Sequence, residues 1–255
     1  MDYNKIHEHI VEWIKDWFKD KTGPAVLGIS GGKDSTVCAA LLAEALGKDR
    51  VVGVMMPNGV QMDIDDSKKV IEFLGIKGIE VNIGGAYNEL RAEINKQYSG
   101  VSFPSLFTTN TPARLRMVTL YGVAAMENGF VCNTCNLSES IVGWETYGGD
   151  GFGDFSPIGR LTKTEVVELG DYMGLPKELV HKVPSDGMCG ASDEDKMGFT
   201  YETLDAYIRD ELPPKSIECK MKIDSMNKKS HFKHENIRIP TCDIGLNINK
   251  IFNWD

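Results

Sequence analysis

Six residues at positions 30–35, SGGKDS, combine two glycines with hydroxyl, ammonium and carboxylate side chains. The apolar run 25–29 precedes them and a segment with helical spacing follows, so they fall at a turn between a strand and a helix. Glycines let a ligand approach the backbone closely, and the N–H groups and dipole of a helix N-terminus attract anions. The turn therefore predicts a phosphate site. An ordinary capped βα turn is the alternative that the turn alone leaves open.

The turn is not the Walker A pattern G-x-x-x-x-G-K-[ST], because Asp34 follows Lys33 and the loop is shorter. Its position agrees with the surrounding pattern, in which strands and helices alternate. Strands are predicted at 25–29, 51–56, 79–83 and 130–132, and helices at about 34–46, 64–74, 86–97, 112–128, 162–174 and 200–210. This alternation predicts an α/β fold, a doubly wound parallel sheet with helices on both faces, in a single domain over residues 1–255.

The two ends of the chain and one internal stretch complete the organisation. Ile6, Ile10, Ile14 and the aromatic pair that follows recur at helical intervals, which predicts an amphipathic helix whose aromatics lie in the core or in a subunit interface. Glycines crowd positions 143–153 and predict a long functional loop. The tail 213–255 is rich in lysine, asparagine and proline, so we expect it to be mobile or ordered by a ligand.

Composition limits the classes of function. The 255 residues carry a net charge of −9, which disfavours a nucleic-acid partner, and none of the apolar stretches is long enough to cross a membrane. The opening residues lack the apolar core of a secretory signal. Six cysteines scattered over a chain of this size are typical of reduced thiols rather than a disulfide framework. We therefore expect a cytoplasmic protein.

The residues 30–35 resemble the SGGxDS signature of the ATP pyrophosphatase, or PP-loop, superfamily, whose fold is that of the adenine nucleotide alpha hydrolases. We call these six residues the PP-loop. Within that superfamily the chain resembles the NAD synthetases through a series of short motifs in the same order. The matching positions are 57–61 with Asp63, Asp65 and Asp66; Asn110 and 113–117; Thr134 and Glu139; Gly149, Asp150, Asp154 and Pro157; 161–163; 184–186; and 192–194 with Gly198, Tyr201 and Asp205.

This resemblance implies a ligase that amidates deamido-NAD to NAD with ammonia, through an acyl-adenylate and with release of pyrophosphate and AMP. It implies ATP as co-substrate, Mg²⁺ as cofactor and a homodimer with its active sites at the interface. Ammonia is expected as the donor because the glutamine-using relatives resemble this domain fused to an amidase region for which 255 residues leave no room.

Roles for individual residues also follow from the resemblance. It implies Asp34 and Lys163 as catalytic residues and Asp34 with Glu139 as metal ligands, since a carboxylate repels phosphate but suits Mg²⁺. The implied deamido-NAD contacts are Asn110, Arg114, Asp154 and Lys233. The implied ATP site consists of Gly28, Ser30, Gly31, Gly32, Lys33, Asp34, Ser35, Gln61, Thr134, Lys163 and Ser185.

Three positions depart from the family pattern. Met55 stands where the family often has arginine, which puts an adenine contact in doubt, and Tyr147 stands where a lysine is common. The C-terminal His-Lys pair is absent in that order, and Lys233 is our choice for its lysine.

Two other functions remain open on the sequence. Cys132 and Cys135 form a CxxC pair of the kind that some PP-loop enzymes use in tRNA thiolation. A nucleotide-binding module without catalysis is the other, although it would not need Glu139, Lys163 and the arginines downstream of the turn.

Overall fold

A parallel sheet forms the centre of the molecule. The structure is a computed structural model that describes residues 1–61, 64–181, 192–235, 239–252 and 254. Within these residues the sheet consists of β1 (Ala25–Gly28), β2 (Val51–Met55), β3 (Lys77–Glu80) and β4 (Phe130–Val131), in the order β3-β2-β1-β4. All neighbours are parallel, with Ala25 aligned to Val51 on one side and to Phe130 on the other. The predicted parallel sheet is confirmed.

Helices cover both faces of this sheet. Those of the first half are α1 (Tyr3–Trp17), α2 (Lys33–Leu46), α3 (Ile64–Leu74), α4 (Gly84–Gln97) and α5 (Ser105–Glu127). Those of the second half are α6 (Leu137–Val142), α7 (Lys163–Tyr172), α8 (Lys177–Val180), α9 (Asp193–Met197), α10 (Tyr201–Ile208), α11 (Ile217–Ser230) and α12 (Phe232–Glu235). Short 3₁₀ turns occupy Lys48–Arg50 and Lys250–Phe252.

The strand order creates a cleft at one end of the sheet. From β1 the chain moves outward to β2 and β3, and then returns to place β4 on the opposite side of β1. At such a reversal the loops that follow β1 and β4 separate to opposite faces and leave a crevice beyond the carboxyl ends of the strands. The PP-loop follows β1, and residues 132–136 follow β4, so both segments border this crevice.

The core packs on both faces of the sheet. Ala25 and Leu27 of β1 contact a cluster that includes α1 and α2, whereas Val26 belongs to the cluster around Met117 and Leu120 of α5. This alternation follows from the two-residue period of a strand. The predicted opening helix is present as α1.

The aromatics near the end of α1 lie within the chain's own core, which decides between the two placements left open by the sequence. Phe18 is buried, and Trp17 stacks on Phe155 with ring centroids 4.4 Å apart. Phe130 of β4 meets Trp17 edge-on at 5.4 Å. The burial of these rings therefore fixes α1 against the edge of the sheet at β4.

Helix α5 is longer than its sequence pattern indicates. The pattern predicts a start at Pro112, but the helix begins at Ser105 and continues through this proline. Proline removes one intrahelical hydrogen bond, which disfavours but does not forbid such a position. Contacts of Phe107 with Phe103 and Tyr87, at centroid distances of 4.4 and 6.1 Å, help to hold the added turns against α4.

The tail is also more regular than its composition suggests. We expect mobility or ordering by a ligand over 213–255, yet the segment contains α11, which packs on α6, and the buried side chains Ile223, Cys242 and Phe252. Ordering the segment costs conformational entropy, and the burial of these apolar side chains supplies the free energy that offsets this cost. None of the helices in the described ranges is long and apolar enough to cross a membrane.

Candidate active site

The PP-loop turn has a backbone that only glycine adopts easily. Gly31 has φ +73°, and a Cβ atom there would lie 2.8 Å from Cβ of Asp66 and 2.9 Å from the backbone nitrogen of Ser67. The turn therefore packs directly on the first turn of α3. Gly32 is the N-cap of α2 and has no side chain that could accept from the first N–H groups of the helix. These donors and the helix dipole are suited to a phosphate.

Two serine hydroxyls stabilise this turn from within. The oxygens of Ser30 and Ser35 lie 3.2 Å apart, and the Gly32 nitrogen donates to the Ser30 hydroxyl at 3.2 Å. The hydroxyl of Ser35 donates to the Gly32 carbonyl at 3.1 Å. These bonds within the turn fix its shape, and a loop of fixed shape loses less conformational entropy when it binds a ligand.

Beside the turn, one ammonium group joins two carboxylates from distant segments. Nζ of Lys163, in the first turn of α7, lies 2.8 Å from Oδ2 of Asp34 in α2 and 2.7 Å from Oε1 of Glu139 in α6. Residues separated by up to 129 positions in the chain therefore meet at one point. The structure brings together the three residues that the sequence proposes for catalysis and metal binding.

The electrostatics of this cluster reflect its burial. Burial raises the pKa of Glu139 to about 7, although the neighbouring ammonium of Lys163 acts to lower it. Burial alone would lower the pKa of Lys163, but the attraction of Asp34 and Glu139 outweighs it and holds the pKa well above its usual value. Lys163 therefore stays charged near neutral pH, and its positive charge keeps two carboxylates close together.

Asn136 organises the cluster, and sequence reasoning did not identify it. Its side-chain oxygen accepts from the Glu139 nitrogen at 3.0 Å in a reciprocal capping box, and its amide donates to Oδ1 of Asp34 at 3.0 Å. One buried amide thus fixes the start of α6 and orients Asp34. The N-x-x-E spacing of Asn136 and Glu139 is the signal that could have revealed the cap. The contact with Asp34 depends on the fold.

Further charged and aromatic groups surround Lys163. The ring of Tyr201 lies 5.3 Å from Nζ of Lys163, and the hydroxyl of Tyr201 donates to Asp193 at 3.4 Å. Lys33 is partly buried nearby. Burial lowers the pKa of Lys33, and the positive charge of Lys163 lowers it further. The two ammonium groups thus repel each other, and a multiply charged anion bound beside them would relieve this repulsion.

Three of the remaining candidate ATP residues lie at the ends of strands or in the segments that follow them. Gly28 ends β1, and Gln61 lies in the segment that connects β2 with α3. Thr134 lies between β4 and α6 and is half-buried. Ser185 lies outside the described residues, as does Asp63 of the family motifs. The first three positions agree with the general rule that ligands bind at the carboxyl ends of parallel strands.

The proposed dinucleotide contacts lie on α5 and the glycine-rich loop. The hydroxyl of Thr146 donates to the side-chain oxygen of Asn110 at 3.3 Å, and Nε of Arg114 donates to the carbonyl of Tyr147 at 3.1 Å. Both α5 residues therefore hold the loop at 146–147. Tyr147, the departure from the family pattern, packs edge-on against Phe152 at 5.4 Å.

Two other candidates make contacts that the sequence did not suggest. The carboxylate of Asp154 accepts from the Val131 nitrogen at 2.7 Å and from the Tyr121 hydroxyl at 3.1 Å, so both of its oxygens bond within the chain. Nζ of Lys233 donates to the carbonyls of Gly143 and Glu145. Both side chains hold loop and strand backbone in place in this structure.

The CxxC pair is buried. Cys132 and Cys135 are both free thiols, and their sulfur atoms lie 3.3 Å from the carbonyls of Asn133 and Asp150 respectively. Burial raises the pKa of Cys135 well above its ordinary value, and the nearby carboxylates raise it further. Persulfide chemistry requires an accessible thiolate, so this environment disfavours a role in thiolation.

A parallel sheet, a glycine turn after its first strand and an ammonium between two carboxylates beside that turn define a nucleotide-binding α/β enzyme. A family model described as NAD synthase matches residues 6–237. The chain belongs to the NAD synthase family.

Relatives and solved structures agree with this assignment. The NH(3)-dependent NAD(+) synthetase of Thermococcus sibiricus is 35% identical over 89% of this chain and 86% of its own. The NMN synthetase of Francisella tularensis has a TM-score of 0.84 and 31% identity, and covers 94% of this chain and 99% of its own. The NH3-dependent NAD synthetase of Campylobacter jejuni has a TM-score of 0.73 and 28% identity over the same shares.

Proposed function

We propose that the protein is a ligase that converts deamido-NAD to NAD, with ATP and ammonia as co-substrates. The single observation that carries this proposal is the meeting of Asp34, Glu139 and Lys163 beside the PP-loop, in a chain of the NAD synthase family. The carboxylate of the substrate is a poor acyl donor, because its leaving group would be oxide. Adenylation, with release of pyrophosphate, provides AMP as the leaving group that ammonia then displaces.

The chain's own groups fit the adenylation step. Backbone N–H groups at the start of α2 can donate to the departing pyrophosphate, and the positive charges of Lys33 and Lys163 can neutralise it. The hydroxyls of Ser30 and Ser35 can donate to it when they rotate away from their partners within the turn. Preorganised donors of this kind stabilise charge that develops in a transition state. The roles of Gln61, Thr134, Asn110 and the other implied contacts are part of the same proposal.

Mg²⁺ fits the donor set of this site. Two carboxylates that approach one ammonium within 2.8 Å can share a cation. Magnesium is commonly held by one or two carboxylates together with substrate phosphates and water. Within the described ranges, groups of three or more His, Cys, Asp or Glu side chains that could hold a metal do not occur, so a site with two carboxylates is the arrangement that the residues offer. We propose Asp34 and Glu139 as its protein ligands. When bound, the ion would neutralise phosphate charge.

The test is an assay of NAD formation from deamido-NAD, ATP, Mg²⁺ and ammonium. Asp34→Asn should reduce turnover by several orders of magnitude, because loss of metal-assisted charge stabilisation costs several kcal/mol in the transition state. The exposed carboxylate Asp16 pairs only with a surface lysine at 3.0 Å, so Asp16→Asn is a matched control that should retain full turnover. Absence of NAD with the unmodified protein would refute the proposal.

A second candidate substrate is nicotinate mononucleotide, whose amidation gives NMN. The similarity to the Francisella tularensis NMN synthetase, with a TM-score of 0.84 against 0.73 for the Campylobacter jejuni enzyme, favours it. The reacting carboxylate is the same, and only the adenylate half of the dinucleotide is missing. A comparison of kcat/KM for the two acids distinguishes the candidates, since the preferred substrate should have the higher value at equal ATP and ammonium.

We propose that the protein is a homodimer through the outer face of α5. Leu106, Val118 and Tyr121 are 69, 68 and 40% exposed on one side of this helix, an unusual concentration of apolar side chains for solvent. Asn110 and Arg114 lie on the same helix, so a second copy there would border the dinucleotide site. Val118→Glu should shift the mass in sedimentation or light scattering from dimer to monomer. An unmodified protein that is monomeric at micromolar concentration would refute the dimer.

We also propose that residues 1–255 act as a single domain. The segment 137–142, which forms α6, contributes both to the site and to the cluster of α10 and α11, so the second half of the chain is not separate from the first. Cytoplasmic location is proposed because the described cysteines are free thiols and the substrates are intracellular nucleotides.

A further inference from the structure

Asp205 is a buried carboxylate near the active site. It matches a family motif, but the motif does not assign it a role in binding or catalysis. It lies in α10 and accepts hydrogen bonds from two segments at once. The hydroxyl of Ser138 donates to Oδ1 at 2.5 Å, and the backbone nitrogen of Thr164 donates to Oδ2 at 2.8 Å. The Ser138 oxygen in turn accepts from the backbone nitrogen of Lys163 at 2.9 Å.

The partners of Asp205 are neighbours in sequence of the residues that form the cluster. Ser138 directly precedes Glu139 in α6, and Thr164 directly follows Lys163 in α7. One carboxylate therefore ties together the first turns of the two helices that carry the ammonium and one of its acidic partners. The distance of 2.7 Å between Lys163 and Glu139 depends on the relative position of these turns.

The charge of Asp205 also acts on α7 itself. A carboxylate next to the N-terminal N–H groups of a helix is stabilised by the helix dipole. The Lys163 ammonium lies in the same first turn, where the dipole by itself is unfavourable to a cation. The negative charge of Asp205 thus offsets part of the unfavourable interaction between the Lys163 ammonium and the dipole of α7.

We propose that Asp205 is a positioning residue that sets the separation of Lys163 and Glu139, and through it the affinity of the site for a divalent ion with nucleotide. This proposal rests on the proposed function for the identity of the site, but its test does not depend on NAD formation. Residues that orient metal ligands through hydrogen bonds typically affect metal affinity about 10–100-fold. A purely structural helix cap would change stability and leave this affinity unaltered.

The test compares Asp205→Ala, Asp205→Asn and Ser138→Ala by binding of Mn²⁺ in the presence of a non-hydrolysable ATP analogue, followed by electron paramagnetic resonance. Asp205→Ala should weaken Mn²⁺ binding by about tenfold or more in the folded protein. Asparagine can accept from the Thr164 nitrogen and donate to the Ser138 hydroxyl, so Asp205→Asn should recover most of the affinity. Ser138→Ala breaks the link to Lys163 and should weaken binding as well.

Thr200→Ala is the matched control. Thr200 is the N-cap of α10, the helix that carries Asp205, and its hydroxyl accepts from the Thr203 nitrogen at 3.2 Å without contact to Ser138. It should lower stability and leave Mn²⁺ binding unchanged. The proposal is overturned if folded Asp205→Ala binds Mn²⁺ like the unmodified protein, or if Thr200→Ala loses as much affinity. Should Asp205→Ala fail to fold, Ser138→Ala decides: unchanged Mn²⁺ affinity in that variant refutes the link.

These outcomes differ from failure of the proposed function. A protein that forms no NAD but binds Mn²⁺ with nucleotide, and loses this affinity in Asp205→Ala, would retain the positioning role and refute only the amidation. If the unmodified protein forms NAD and all three variants bind Mn²⁺ with unchanged affinity, the amidation is retained and the positioning role of Asp205 is refuted.

Discussion

Replacement of Lys163 by methionine leaves Asp34 and Glu139 without the ammonium that joins them. The three side chains are 7, 18 and 15% exposed, so solvent can screen the remaining charges only weakly. Removal of one member of a buried ion pair typically costs about 3–5 kcal/mol, because an uncompensated charge remains. With the usual total of about 5–15 kcal/mol for a folded domain, we expect Lys163→Met to lose about a fifth or more of the free energy of unfolding.

The loss should depend on pH in a defined direction. Burial raises the pKa of Glu139 from 4.5 to about 7, and the ammonium of Lys163 opposes this rise. Without Lys163 the pKa rises further. A carboxyl group whose pKa is higher in the folded than in the unfolded protein contributes its stability below the unfolded value, and this contribution is lost as the pH rises through the folded value. The deficit of Lys163→Met should therefore shrink between about pH 8 and pH 5.

Urea unfolding followed by circular dichroism at these two pH values measures the deficit. Lys15→Met is the control, because Lys15 forms an exposed pair with Glu12 and its loss should cost under about 1 kcal/mol at either pH. The double variant with Glu139→Gln should recover part of the stability, since one of the unpaired charges is gone. A loss below about 1 kcal/mol, or one of equal size at both pH values, would refute the assignment of Lys163 as a buried partner of these carboxylates.

Two further predictions concern the PP-loop and the thiols. Gly31→Ala should lower the free energy of unfolding more than Gly174→Ala in the same urea assay. Both glycines have positive φ, but of the two only Gly31 would place a Cβ against backbone atoms. Equal losses would contradict the contact of Gly31 with α3. Cys132 and Cys135 are buried, so iodoacetamide should leave them unmodified in the native protein and modify them in urea. Peptide mass spectrometry measures this modification. Rapid labelling of the native protein would contradict their burial and support a role in thiol chemistry.

Local sequence patterns were enough to predict the frame of the protein. The alternation of apolar runs and helical spacing indicates the parallel sheet, and the glycines of the PP-loop mark the turn after its first strand. These features depend on the backbone and on neighbours within a few residues, so they can be read directly. The choice of Glu139 and Lys163 came from ordered family motifs, and the structure places both residues against Asp34.

The tertiary structure alone decided which polar groups meet across elements. The link from Asn136 to Asp34, the bond between Ser138 and Asp205, and the contact of Lys233 with the Gly143 carbonyl join residues 102, 67 and 90 positions apart. Which polar groups meet depends on how the helices pack against one another, and sequence periodicity and helix propensity do not report this packing. The same holds for the order of α11, because its burial against α6 outweighs a composition that by itself favours solvent.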